Sequence, residues 1–399
     1  MKYITRTVWI LSLVSLFTDI ASEMLYPITP FYLKSIGFSI VAIGVLEGIA
    51  EAVAGLSKGY FGKQSDISGK RLPFVRLGYL LSAMARPMMI LFSSAVWVLL
   101  VRSIERLGKG LRTGARDAML SDESTPATKG KVFGLHRSLD TFGAVLGPSL
   151  ALIYLYYYPE DYKTLFLLAF IPGVLAVAAT FLLKEKPKPI VEGPSKNTFF
   201  SFLTYWKSSP TAYRKLVLGL LFFALFNSSD VFLLLKMKQT GFDDTRIIML
   251  YIFYNLIYAL FAFPMGILAD KFGLKKVFIF GLMLFAIVYF GMSFENSIAI
   301  SIGLFFLYGV YAAATEGIAK AWISNISEAK DTATAIGTYT AFQSLAALIA
   351  SSMTGWIWYR YGADFAFLIT ACATILIICY FLYHFGRNTL VKNWKQYNI

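Results

Sequence analysis

The segment 101-VRSIERLGKGLRTGARDAML-120 places Arg102, Glu105, Arg106, Lys109, Arg112, Arg116 and Asp117 within twenty residues, in a chain otherwise dominated by apolar runs. At about 100° per helical residue, Arg102, Arg106, Lys109 and Arg116 fall on one narrow stripe. A row of guanidinium and ammonium groups recognises anions, and Arg offers carboxylates and phosphates a two-pronged fork. Acidic counterparts lie in other apolar runs. Asp19 and Glu23 are one turn apart, as are Glu47 and Glu51, while Arg137 pairs in spacing with Asp140 and Glu316 with Lys320. Burial favours a protonated carboxyl and a neighbouring Arg favours the ionised one. A carboxylate that exchanges its Arg partner can therefore load and release a proton. Asp19, Glu23, Glu51 and Asp140 are the candidate proton carriers, with Arg106 as the switching partner. The plainer alternative is a static network that neutralises itself and fixes packing. Arg116 and Asp117 are expected near the membrane surface, and Glu316 with Lys320 as an ion pair within one helix.

No nucleophile–base pair, phosphate loop or metal-ligand spacing accompanies these charges. Cys372 and Cys379 share one apolar run, and His136 and His384 are far apart, so no disulfide framework or soft-metal site follows. We expect no enzyme activity, no cofactor and no bound metal.

The elements that must hold such charges are apolar. Of 399 residues, 57% are hydrophobic and only 15% charged, against roughly 25% charged in soluble domains. Runs such as 162-YKTLFLLAFIPGVLAVAATFLL-183 cross about 30 Å of hydrocarbon at 1.5 Å per residue, and they are continuous rather than alternating. The expected fold is an all-α polytopic membrane protein. Twelve helices are expected, at about 7–33, 38–61, 73–94, 96–120, 131–156, 163–184, 214–238, 245–269, 274–294, 297–325, 333–358 and 364–386. The first helix is expected to act as its own insertion signal. The Pro-, Lys- and Ser-rich stretch 185–213 reads as a linker whose FFSFLTYW portion lies on the membrane surface. This divides the chain into a six-helix bundle over 1–184, the linker, a second bundle over 214–386 and a tail over 387–399.

The formal charge of +14 first suggests nucleic acid, but the basic residues gather in alternate loops, at the N-terminus, in the linker and in the tail. That placement points to a lipid bilayer and to cytoplasmic termini. The two halves also repeat. KSIGF at 34–38 matches KQTGF at 238–242, and Gly62, Asp66 and Gly69 map onto Gly266, Asp270 and Gly273, both at an offset of 204. TGARDAMLSD (113–122) matches EGIAKAWISN (316–325) at 203. Duplicated helical units are typical of secondary transporters.

The motif G-x-x-x-D-x-x-G-[RK]-[RK] occurs as 62-GKQSDISGKR-71 and again as 266-GILADKFGLKK-276 with one extra residue. On it the chain resembles the major facilitator superfamily over its whole length. The resemblance implies two six-helix pseudo-repeats around a central cavity lined by helices 1, 4, 7 and 10. It also implies that Gly62, Asp66, Gly69, Arg71, Gly266, Asp270, Gly273 and Lys275, with Arg116, close the cytoplasmic side when the outer side is open. In helix 5, Gly134, Gly143, Gly147 and Pro148 fit G-x8-G-x3-G-P, which resembles the family's antiporter signature without its usual following Gly pair.

Counted from an outer end near Val96, Arg106 lies about 15 Å deep, where such transporters bind substrate. Helix 10 offers Tyr308, Tyr311 and Thr315 where helix 4 offers Arg and Lys, and the position matching Glu23 is Asn227. The substrate-binding candidates are Arg102, Arg106, Lys109, Tyr26, Asn227, Asp230, Tyr308, Tyr311 and Gln343. They suit a small organic anion, coupled to protons and exported by a monomer of the cytoplasmic membrane. A proton symporter importing an anionic nutrient or chelate, and a non-transporting sensor or scaffold, are the alternatives.

Overall fold

The computed structural model describes residues 4–185, 198–294 and 297–385. The middle of the expected linker, 186–197, and the expected tail, 387–399, lie outside the described residues. Helices α1 (Arg6–Leu25) and α2 (Thr29–Ser35) form the first pass, followed by α3 (Ile40–Ser68), α4 (Leu72–Met88), α5 (Ala95–Asp122), α6 (Lys129–Tyr157) and α7 (Tyr162–Thr180). A 3-10 turn (Phe199–Thr204) and the short α8 (Tyr205–Ser208) lead into the second half. There α9 (Thr211–Ala224) and α10 (Val231–Gln239) make one pass, then α11 (Asp244–Phe272), α12 (Leu274–Met292), α13 (Ile298–Ile326), α14 (Thr332–Tyr361) and α15 (Ala363–His384). Counting the two broken pairs as single passes, each half has six. Among the described residues, eight passes are long and apolar enough to cross a bilayer on length and composition. α5 is not one of them, because its charges exceed what lipid accepts.

Local chemistry sets the ends. Thr5, Ser39, Ser94 and Ser297 accept hydrogen bonds from the backbone N–H three residues on, at 3.1–3.4 Å, as N-caps. Gly37, Gly69, Gly241 and Gly273 all turn through positive φ, at 98°, 63°, 92° and 101°. These are two pairs at the repeat offset, so the duplication extends to backbone conformation. α3 and α11 run further than expected, to Ser68 and Phe272. The motif residues Gly62, Asp66, Gly266 and Asp270 therefore sit on the last turns of helices, stopped only by the following glycine.

Two expected helices, 7–33 and 214–238, are broken instead of continuous. Pro27 has no N–H for the helical ladder and crowds the preceding turn, which separates α1 from α2. The break between α9 and α10 contains no proline. Asn227, Ser228, Ser229 and Asp230 occupy it, and such side chains offer the backbone local alternatives to the helix. Ser229 Oγ accepts from Val231 N at 3.3 Å, and Ser229 N donates to Ser351 Oγ on α14 at 3.2 Å. Tyr26 maps onto Asp230 at the repeat offset, so both halves break at the equivalent place.

Within the first half α1 packs on α6 and α7, and α5 packs on α3 and α4; within the second, α13 packs on α11 and α12. The halves meet along α6 against α11 and along α3 against α14. Glycines make that seam close. A Cβ on Gly62 would stand 2.5 Å from the Ala333 carbonyl oxygen, and one on Gly130 would stand 2.5 Å from that of Gly266. Both contacts lie at the face that carries the linker. Glu185 also caps the α4 start there, accepting from Leu72 N at 3.0 Å, and Lys63 Nζ reaches the Ser201 carbonyl at 2.8 Å.

Candidate functional site

A cavity of about 520 Å³ lies between the halves. Among the described residues nine basic side chains and six carboxylates line it, and eight of the nine basic groups come from the first half. The second half contributes Lys320 as its basic group, with Tyr251, Tyr254, Tyr258, Tyr308 and Tyr311. One wall is therefore cationic and the other aromatic.

α5 carries the cationic wall as its spacing implies. Arg102, Arg106 and Lys109 all line the cavity, with Arg102 paired to Glu105 at 2.5 Å. Arg106 reaches Glu51 of α3 at 3.3 Å. Asp19, Glu23 and Asp140 line the same space; Glu51 borders it through Arg106. The Glu47 side chain lies outside the described residues. Asp140 is held by Arg137 at 2.7 Å, and Glu23 accepts from the Tyr251 hydroxyl at 3.1 Å across the seam. On the opposite wall Asp230 accepts from the Tyr254 hydroxyl. Tyr308 stacks edge-on to Tyr254 at 5.3 Å between centroids and lies tilted to Tyr311 at the same distance. Both tyrosines are buried, whereas Tyr26 is half exposed to the cavity. Asn227 and Gln343 complete the lining expected of the second half.

One expectation fails. Glu316 and Lys320 do not pair with each other along α13. Each reaches the other half instead: Glu316 to Arg137 of α6, and Lys320 Nζ to Asp117 of α5 at 2.8 Å. Arg116 and Asp117, expected near the membrane surface, are shielded from solvent at the seam, 8% and 1% exposed. Arg116 binds Asp117 at 2.9 Å and Ser15 at 3.1 Å, so Asp117 is shared between cations of opposite halves. The reason is geometric. One-turn spacing puts two charges on one face, but here that face fronts the seam, where an oppositely charged face is available.

At the linker face the two aspartates of the repeated motif act alike. Asp66 accepts from Thr334 N at 2.6 Å, Thr334 Oγ1 at 2.8 Å and Ala333 N at 3.4 Å, at the start of α14. Asp270 accepts from Gly130 N at 2.7 Å and Lys131 N at 2.9 Å, at the start of α6. In each case a carboxylate of one half neutralises the orphan N–H groups and positive dipole end of a helix in the other. Arg71 bridges Asp66 at 3.2 Å and Asp122 at 3.3 Å. Lys275 instead donates to the Phe385 carbonyl at 2.6 Å, inside the second half and away from the seam. The helix-5 glycines serve packing. Cβ atoms on Gly143 and Gly147 would stand 2.7 Å and 2.6 Å from the Leu16 and Ile20 carbonyl oxygens of α1; one on Gly134 would stand 2.7 Å from that of Ala262 across the seam. Pro148 is buried in α6 beside them.

The family model of the Major Facilitator Superfamily matches residues 11–243 and 216–395. The chain belongs to the major facilitator superfamily. An uncharacterised MFS-type transporter of Methanocaldococcus jannaschii is 34% identical over 381 residues, 94% of either chain. An uncharacterised protein of Mycobacterium tuberculosis is 30% identical over 186 residues, 46% of this chain and 45% of its own length. Among solved structures, the human organic anion transporter MFSD10 superposes with TM-score 0.80 at 16% identity, covering 94% of this chain and 99% of its own. The Escherichia coli fucose:proton symporter FucP does so at 0.75 and 13% identity, covering 96% and 99%. At these identities the structural likeness is one of fold.

As a member of this superfamily the protein is a multi-pass membrane transporter, and its cavity holds residues that sequence reasoning passed over. Lys58 of α3 lines it and donates to Ser344 Oγ of α14 at 3.3 Å. Arg86 of α4 lines it too, buried, as does Arg112, named among the α5 charges but not taken as a binding candidate. Tyr251, Tyr254 and Tyr258 of α11 make the far wall. A signal existed for the cations, since a lone Arg or Lys in an apolar pass is costly and marks a pathway. For the tyrosines there was none, because the chain has 24.

Proposed function

We propose that this transporter is a proton-coupled antiporter that exports a small organic anion from the cytoplasm by alternating access, working as a monomer in the cytoplasmic membrane. The observation that carries this reading is the surplus of cationic over acidic side chains along one wall of the central cavity, opposite a wall of tyrosines. Cations without enough acids need an anion, and flat apolar surface favours an anion with an organic body. The likeness to a human organic anion transporter is in fold, and the cavity charge supports the same ligand class here.

Asp19 and Glu23 are the proton carriers in this scheme. They sit on one face of α1, near Lys109 and the Arg106–Glu51 pair. When the halves rock, the cations of α5 move relative to α1 and α3, and the acid that loses its cation takes up a proton. With the aspartates engaging the opposing helix starts, the linker face is the closed one, and that face is cytoplasmic in this reading. Both termini then lie inside, in keeping with the basic loops. The helix-5 glycines are the support for export over import.

Counterflow in proteoliposomes under an imposed pH gradient tests the direction. Efflux of an organic anion driven by inward proton movement is the expected result. Uptake enhanced by an acidic exterior makes the protein a symporter, and flux of cations but not anions removes the reading altogether.

A further inference from the structure

Deep in the first half, behind the α5 stripe, two arginines border the cavity without carboxylate partners. Arg86 is 3% exposed and Arg112 6%. Among the described residues no carboxylate lies at ion-pair distance from either guanidinium. Arg112 Nη1 donates to Ser82 Oγ at 2.5 Å, and its guanidinium lies 4.6 Å over the Tyr79 ring. Ser82 is one turn before Arg86 on α4, so both arginines stand against the same helix. Arg86 is the less satisfied of the pair. Its Nη2 makes one long hydrogen bond, 3.4 Å to the Thr18 carbonyl, and its buried Nε has no partner.

Glycines stand against both residues. A Cβ on Gly173 of α7 would stand 2.5 Å from Arg86 Nη1, and one on Gly78 of α4 would stand 2.7 Å from Arg112 Cβ. A larger residue at Gly173 would push the Arg86 guanidinium aside, and one at Gly78 would force α4 away from the Arg112 backbone of α5. The two buried cations, at close quarters, are held directly by neutral hydroxyls and carbonyls. Asp19, Glu105 and Asp140 are near but none is at ion-pair distance, so direct ion-pairing leaves their charge only partly balanced. The group that corrects it must come through the cavity, which reaches both side chains.

We propose that Arg86 and Arg112 form an anion subsite that receives the compact oxyanion, carboxylate or phosphate, of the transported molecule. The subsite is distinct from the Arg102–Arg106–Lys109 stripe, whose cations face Glu105 and Glu51. Its location sets the orientation of the substrate: acid group into the first half against α4, organic body toward the tyrosines of α11 and α13. The inference rests on the anion reading of the cavity and narrows it to substrates with a terminal oxyanion.

The test uses detergent-purified full-length protein, with inorganic phosphate, benzoate and the neutral isostere benzyl alcohol as probes. Thermal shift and equilibrium binding are measured on wild type, Arg86→Gln, Arg112→Gln, Arg86→Lys and Arg106→Gln. Benzoate is expected to bind and stabilise, benzyl alcohol not. Affinity should fall about tenfold or more in each Gln variant of the subsite, and less in Arg86→Lys, which keeps the charge but loses the fork. Gel filtration and Arg86→Lys guard against misfolding as the cause. Benzoate binding lost in Arg106→Gln but intact in Arg86→Gln and Arg112→Gln overturns the subsite and leaves anion transport standing. Binding of phosphate without competition from benzoate overturns the substrate assignment in favour of a resident inorganic ion. No response to either anion at tens of millimolar overturns the subsite outright.

Discussion

The two halves of this transporter share a scaffold and differ in what they point at the cavity. Their helices break at equivalent positions, their glycines turn through positive φ in matched pairs, and each offers one aspartate to the other's helix start. Yet one wall is lined by Lys58, Arg86, Arg102, Arg106, Lys109 and Arg112, and the other by tyrosines. Duplication has preserved what rocking requires and released what recognition requires. The linker face needs symmetry, because both halves must let go together. The cavity does not, because the organic anion proposed as substrate has unlike ends and is best held by unlike walls.

The comparison is broken most severely at Asp117, where the halves are joined by a shared charge. Asp117→Asn leaves buried Arg116 and half-buried Lys320 facing each other without their carboxylate. A loss of about 3–5 kcal/mol is expected, the usual result of removing one partner from a buried ion pair. Equilibrium unfolding in mixed micelles measures it, and a loss under about 1 kcal/mol contradicts the bridge. The double variant Asp117→Asn with Lys320→Met should recover part of the loss, since it removes one stranded cation.

Next in size is the asymmetry of the walls. Arg106→Gln should lower transport about a hundredfold, the scale of a lost charged contact in a desolvated site. Tyr308→Phe keeps the ring and should cost less than about threefold. Initial rates in proteoliposomes at matched protein density compare them. If Tyr308→Phe proves as damaging as Arg106→Gln, the tyrosine wall acts through its hydroxyls and the division into ionic and flat surfaces fails.

How much of this was open to reading beforehand depends on how local the cause is. Gly69 and Gly273 announce tight turns because each has a short-range reason, and the equal offset of Asp66 and Asp270 exposes the duplication. The α5 stripe follows from helical geometry alone. What eluded the sequence was relational. Glu316 and Lys320 are one turn apart and look like partners; only the position of α13 against α5 and α6 shows that both face elsewhere. The α9–α10 break has no proline to mark it, and its polar run Asn227–Asp230 reads equally well as a helical stripe. Arg86 is a single letter in an apolar run, and its importance comes from Gly173, which is distant in sequence.

The linker-face aspartates offer a smaller, graded test. Asp66 has Arg71 as well as three donors at the α14 start, whereas Asp270 has two backbone N–H groups. Asp66→Asn should therefore destabilise the linker-face closure by about 1–2 kcal/mol and Asp270→Asn by about half as much. Spin-label distances between the linker-face ends of α3 and α14, and of α6 and α11, report the shift in population. An equal response would mean that the dipole ends, not Arg71, set the strength of both gates.

The smallest difference between the halves should be at Gly37 and Gly241, where the two should be indistinguishable. Their φ values are 98° and 92°, and a Cβ built on either meets nothing within 4 Å. With no steric contact to confuse the result, Gly→Ala reads only the cost of holding an L-residue in a left-handed turn, about 1 kcal/mol. Matched losses in the two variants, measured by unfolding, would show that the repeat is conserved where nothing but backbone geometry is at stake. A clear inequality would mean that one turn gives way more easily than its counterpart. The symmetry of the scaffold would then stop short of its outer loops and hold only in the helices and gates.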